Sequence, residues 1–122
     1  MIEWDKVKTI EDFDKADHGM LVRLSEHIVR NHCMNGALEH VLFGTPAGHF
    51  LTYLFENNLV KAYGQADDSN TKHMREWAAW LFNSAPSDCW GSEEKVLDWQ
   101  SRGGLVGWMR EQMKREGDDD PD

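Results

Sequence analysis

The chain has 122 residues, 40% hydrophobic and 29% charged, which fits a single domain able to build its own core. No apolar run approaches the roughly 18 residues of a membrane span, and the start Met1-Ile-Glu-Trp-Asp-Lys has no basic region followed by an apolar one, so neither a membrane partner nor a secretory signal is expected. The formal charge of −9 sits at the ends: residues 1–17 carry six acids and three Lys, residues 117–122 four acids and no base, and residues 18–116 twelve acids and ten bases.

That distribution argues against a rigid acidic mimic of nucleic acid. It also argues against direct DNA binding, since no basic stripe is visible. Cys33 and Cys89 are the only cysteines, too few for a disulfide framework, and the cytosol is the default compartment.

In chain order, residues 1–8 are too short to assign. Thr9 is placed to cap a short helix with Glu11 and Asp12 in its first turn, and Gly19 is expected to break or bend the chain. From Met20, the spacing of Leu21, Leu24 and Ile28 predicts an amphipathic helix to about Asn31. Asn31-His-Cys-Met-Asn-Gly reads as a turn or a helix C-cap, with Asn35-Gly36 as its strongest punctuation, and is followed by a short helix of Leu38, Val41, Leu42 and Phe43 stopped by Gly44.

Thr45 and Pro46 suit the cap and first position of the next helix, whose apolar face is Phe50, Leu51, Leu54 and Phe55 and whose end is Asn57-Asn58. Helical character resumes from Leu59 to Gly64. Residues 66–71 read as a loop, with Asp67, Asp68 or Ser69 as the next cap, and Thr71 to Asn83 as one helix containing Met74, Trp77, Trp80, Leu81 and Phe82.

After the loop Ser84–Gly91, Ser92 caps a helix that buries Val96, Leu97 and Trp99 and ends at Gly103-Gly104. A last helix carries Leu105, Val106, Trp108, Met109 and Met113, and residues 117–122 form an acidic tail expected to be disordered. No stretch shows strand alternation. The fold class is all-α, an irregular bundle of short helices over residues 1–116.

Four segments, Gly44-Thr-Pro-Ala-Gly-His-Phe-Leu, Glu56-Asn-Asn-Leu-Val-Lys-Ala, Ala66-Asp-Asp-Ser-Asn and Pro86-Ser-Asp-Cys-Trp-Gly-Ser-Glu-Glu-Lys-Val, occur in this order within about residues 40–100. Together they resemble a group of small bacteriophage and prophage proteins with the pattern G-x-P-x-G-x-F-L, N-[DN]-L, A-D-x-x-N and W-G-S-x-x-K-V. The resemblance implies phage origin and a helical fold, not a reaction. At Ala47 the chain departs from the family, which often has Pro there.

Chemistry-bearing residues form no convincing set. The six His and two Cys lack the spacings of zinc sites, so no metal or other cofactor is expected. Cys89, three residues before a helix cap, is the better nucleophile candidate, against which stands a plain buried thiol beside Trp90.

The Gly44–Gly48 helix start offers backbone N–H groups to a nucleotide or other small anion, against which stands close helix packing at Gly48. Asn57, Asn58, Asp67 and Asn70 are capping residues or ligand contacts. Six Trp exceed what a core of this size usually needs, and Trp90, in a loop, is the one best placed for a surface pocket.

The expectation is a non-catalytic phage-type protein in the host cytoplasm that binds a host or defence-system protein. Its candidate contacts are Thr45, Gly48, Asn57, Asn58, Asp67, Asn70 and Trp90. The alternatives are a small-molecule or nucleotide binder using the Gly44–Gly48 helix start with Trp90, and an acidic nucleic-acid mimic or structural assembly protein.

Overall fold

Trp77 and Trp80, one helical turn apart, form the centre of the protein in a computed structural model that describes residues 2–118. Among these residues there are nine α-helices and no strand, so the fold is all-α. The helices are α1 (Ile10–Ala16), α2 (His18–Leu24), α3 (Met34–Phe43), α4 (His49–Phe55), α5 (Leu59–Gln65), α6 (Asp68–Lys72), α7 (Met74–Asn83), α8 (Glu93–Arg102) and α9 (Gly104–Asp118). The acidic end expected at 117–122 lies, from residue 119 on, outside the described residues.

The core is an aromatic chain contributed by α3, α4 and α7. His40 stacks on Phe55 at 4.1 Å between ring centroids, Phe55 meets Trp80 edge-on at 6.1 Å, Trp80 meets Trp77 at 5.8 Å, and Trp77 meets Phe50 at 6.1 Å. Edge-to-face pairs at these separations add to the large area each ring buries.

The tryptophans also explain how short helices hold an irregular bundle together. Trp80 Nε1–H donates to the carbonyl of Leu24 at 2.7 Å, Trp77 Nε1–H to Asn70 Oδ1 at 3.0 Å, and Trp99 Nε1–H to the carbonyls of His40 and Val41 at 2.9 and 3.1 Å. Each bond satisfies a buried donor, and those of Trp80 and Trp99 fix segments 56 to 59 residues away. Four of the six Trp are therefore core residues, Trp4 included; Trp90 is half-buried and Trp108 is 39% exposed.

Several boundaries differ from expectation, each for a visible reason. The break near Gly19 falls at Asp17, whose carboxylate caps α2 by accepting from Met20 N–H; Gly19 itself is helical. The helix expected from Met20 to Asn31 stops at Leu24, because tertiary donors take the carbonyls beyond it. Trp80 claims Leu24, the Ser84 hydroxyl donates to Glu26 at 2.8 Å, and His27 turns left-handed with φ 65°.

Asn35-Gly36 is not the turn; it lies in the first turn of α3, where a Cβ at Gly36 would come 3.2 Å from Leu51 Cδ1. The actual turn is closed by Asn31, whose Oδ1 accepts from Cys33 N–H at 2.9 Å. Residues 66–71 are mostly helix, since Asp67 caps α6 through Asn70 N–H at 2.8 Å. The single helix expected from Thr71 is interrupted at His73, whose Nδ1–H donates to Ser69 O. Leu97, placed in the core by its spacing, is 56% exposed.

The largest correction concerns Gly44–Gly48. Thr45 is not an N-cap and Pro46 is not a first helical position. The N–H groups of Gly44 and Thr45 turn back to the carbonyls of His40 and Glu39, so both residues belong to the end of α3. Residues 44–48 are non-helical, and α4 starts only at His49, with Gly48 as its cap.

Close packing does occur here, but at Gly44. Gly44 is left-handed at φ 68°, and a Cβ on it would lie 2.9 Å from backbone atoms of Trp99, Gln100 and Gly104. The start of α9 thus sits directly on the end of α3. At Gly48 a Cβ would meet nothing within 4 Å, so packing does not account for that glycine.

Candidate functional site

The expected contact residues separate into two surface concavities. Asn57, Asn58 and Trp90 line an apolar groove of about 280 Å³ with Leu54, Leu59, Ala78, Leu81 and Phe82. Gly48, Asp67 and Asn70 line a second cavity of about 340 Å³, while Thr45 lines neither and donates its hydroxyl to Glu39 at 3.4 Å. Gly48 and Trp90 therefore do not form one ligand site.

The groove is built by three elements. One wall is the α4–α5 junction, where Asn57 takes the left-handed conformation (φ 62°) that ends α4, and Asn58 Oδ1 caps α5 by accepting from Lys61 N–H at 3.3 Å. The expected Asn57-Asn58 stop thus divides its labour: only Asn57 is left-handed, and Asn58 starts the next helix. The opposite wall is the end of α7, with Ala78, Leu81 and Phe82.

Trp90 completes the groove because both its neighbours are pinned to the core. The Cys89 carbonyl accepts from His40 Nε2–H at 2.9 Å, and Gly91 N–H donates to Phe55 O at 2.7 Å. These two bonds hold the ring between them in place.

Apolar exposure is concentrated beside this groove. Phe82 is 81% and Leu59 59% exposed, and Val60 and Tyr63 of α5 are exposed as well. None of the groove's lining residues titrates, so it presents shape and apolar area but no acid, base or nucleophile. Such a concavity suits insertion of apolar side chains from a partner.

Sequence spacing did not single out Phe82 or Leu59. The signal was present: Trp80, Leu81 and Phe82 are consecutive, and three consecutive positions span about 200° of a helix of 3.6 residues per turn. They cannot all face one core, and Phe82 is the one turned outward.

Cys89 is fully buried, and burial pushes its thiol up to about 12, with Asp88 adding in the same direction. It is a packing residue, not a nucleophile. Among the described residues no group of three or more His, Cys, Asp or Glu side chains could hold a metal ion, and no helix is long and apolar enough to cross a membrane.

The remaining pattern residues have structural duties. Asp67 caps α6 and meets His32 at 2.7 Å, Asn70 accepts from Trp77, Ser92 caps α8 through Lys95 N–H at 3.1 Å, and Val96 is buried. Comparison with protein-family models, curated proteins and solved structures gives no match.

Proposed function

We propose that the protein acts without catalysis, by binding another protein through the groove between the α4–α5 junction and α7. The occupant is the apolar face of a partner helix. Its side chains enter beside Trp90, while Asn57 and Asn58 stay at the wet edge. The observation that carries this reading is Phe82, a large aromatic side chain 81% exposed at the wall of an apolar concavity. Phe82 does not stand singly: with Leu59 it edges one apolar concavity, and grouped apolar exposure of this kind marks an interaction site.

The pattern shared by Gly44–Leu51, Glu56–Ala62, Ala66–Asn70 and Pro86–Val96 supports placing that partner among host or defence-system proteins of an infected bacterium. The test is affinity capture from a bacterial host lysate, with wild type beside the double variant Phe82→Ser, Leu59→Ser. Both positions are exposed, so the variant keeps the wild-type melting temperature. A partner held by wild type and lost by the variant supports the reading. Capture that is absent, or unaffected by the two substitutions, contradicts it.

A further inference from the structure

The second cavity is assembled from segments far apart in sequence, and its chemistry differs from that of the groove. Phe50 and Leu51, both buried, form its apolar floor, and Asn70, Gln65 and the His32–Asp67 pair supply polar atoms. At about 340 Å³ it falls within the range of small-molecule sites.

Charge narrows the ligand. No Lys or Arg lines the cavity; of its two histidines His32 is engaged by Asp67 and His49 is exposed at the edge, so a phosphate would find no fixed counter-charge. Its one carboxylate, Asp67, is already occupied: Oδ1 accepts from Asn70 N–H at 2.8 Å and Oδ2 meets His32 Nε2 at 2.7 Å. A cation would have to compete for it. The ligand that fits is neutral.

Hydrogen bonding narrows it further. Asn70 is only 1% exposed, and its Oδ1 already accepts from Asn31 Nδ2–H at 2.9 Å and Trp77 Nε1–H at 3.0 Å. Its Nδ2–H donates to Cys33 Sγ at 3.4 Å, and a thiol sulfur is a weak acceptor. The Asn70 amide is thus spent on the protein itself, and a ligand finds its hydrogen-bond partner at the rim. Gln65, exposed at the rim, offers both a donor and an acceptor.

Gly48 gives the last constraint. Its φ of −66° suits any residue and a Cβ there would touch nothing, yet it borders the cavity with bare backbone. Bare backbone on one wall and Phe50 on the floor leave room for a flat ring.

We propose that this cavity binds a neutral, planar, hydrogen-bonding heterocycle of nucleobase or nucleoside size. The experiment is a nuclear magnetic resonance titration of the full chain with adenosine, guanosine, cytidine and uridine, and with the matching 5′-monophosphates. At least one nucleoside is expected to give saturable shifts in the amides of residues 48–51 and 65–70, with the monophosphate binding no more tightly. Gly48→Leu, which fills the cavity from a position with no neighbours, abolishes the shifts at an unchanged melting temperature. Gln65→Ala weakens binding several-fold and serves as the second variant.

Phe82→Ser leaves nucleoside binding intact, which separates this site from the groove. Four results overturn the proposal: no nucleoside binds, a monophosphate binds more tightly than its nucleoside, binding survives Gly48→Leu, or it is indifferent to Gln65→Ala.

Discussion

Replacing Gly104 by Ala probes the contact on which the second half of the fold rests. Gly104 opens α9 at φ 69°, and a Cβ there would lie 2.5 Å from Gly44 N and 2.6 Å from Phe43 N, far inside any real contact. Those neighbours are backbone, so no side chain can swing away. The left-handed conformation costs an L-residue about 1–2 kcal/mol, and forcing a methyl into a filled contact adds about 1–3 kcal/mol. Together they amount to about 2–5 kcal/mol, which at about 4 °C per kcal/mol for a domain of this size lowers the melting temperature by about 8–20 °C.

The control is Gly64→Ala in α5, where an added Cβ meets nothing within 4 Å. Helix propensity favours that change by about 0.5–1 kcal/mol, a rise of about 2–4 °C. Thermal unfolding followed by circular dichroism reads both. If Gly104→Ala melts within about 2 °C of wild type, the close seating of α9 on the end of α3 is wrong.

Three further outcomes are expected. Burial pushes the pKa of His40 below its ordinary value of about 6.5, against the opposing effect of its bond to the Cys89 carbonyl. The unfolded chain therefore binds this proton more readily; His40's contribution is complete above about pH 6.5 and declines as pH falls through that value towards the lower folded pKa. Urea midpoints should drop between about pH 7.5 and pH 5, and drop less in His40→Gln; equal drops refute this.

Cys33 is half-buried and Cys89 fully buried with its thiol pushed up to about 12, so a thiol reagent should label one cysteine in the native protein and both in urea. Labelling of Cys89 before unfolding would contradict its burial. Asn70→Ala removes the acceptor of the buried Trp77 N–H and of Asn31 Nδ2–H, a loss of about 2–3 kcal/mol in urea unfolding. A loss under about 0.5 kcal/mol would mean the network is not structural.

What was legible in the sequence was local. Thr9 and Ser92 cap the helices their positions suggest, Asp67 was among the predicted caps, Gly44 and Gly103 end helices, and Phe50, Leu51, Leu54 and Phe55 are all buried. These features depend on a few neighbouring residues. Some of what failed depended on partners far along the chain: α2 ends at Leu24 because Trp80, 56 residues on, takes its carbonyl. Thr45-Pro46 has the chemistry of a helix start, but the Thr45 N–H already bonds the Glu39 carbonyl at the end of α3.

The candidate contacts were recognisable as residue types and not as sites. Asn57, Asn58 and Trp90 meet at one concavity and Gly48, Asp67 and Asn70 at another, a division that only the packing of α4–α7 decides. Most residues of the four motif segments cap, turn or fill the core. Trp90 and Gly48 stand apart, since each borders open space that no internal packing requires.

The groove is tested most directly by placing a photo-cross-linking phenylalanine derivative at position 82 and, as a control, at Val22, an exposed residue of α2 that does not line the groove. Irradiation in host lysate should join position 82, and not position 22, to a single protein species, and an excess of unlabelled wild type should suppress the product. Cross-linking equally from both positions, or from position 22 alone, would contradict a partner seated against Phe82.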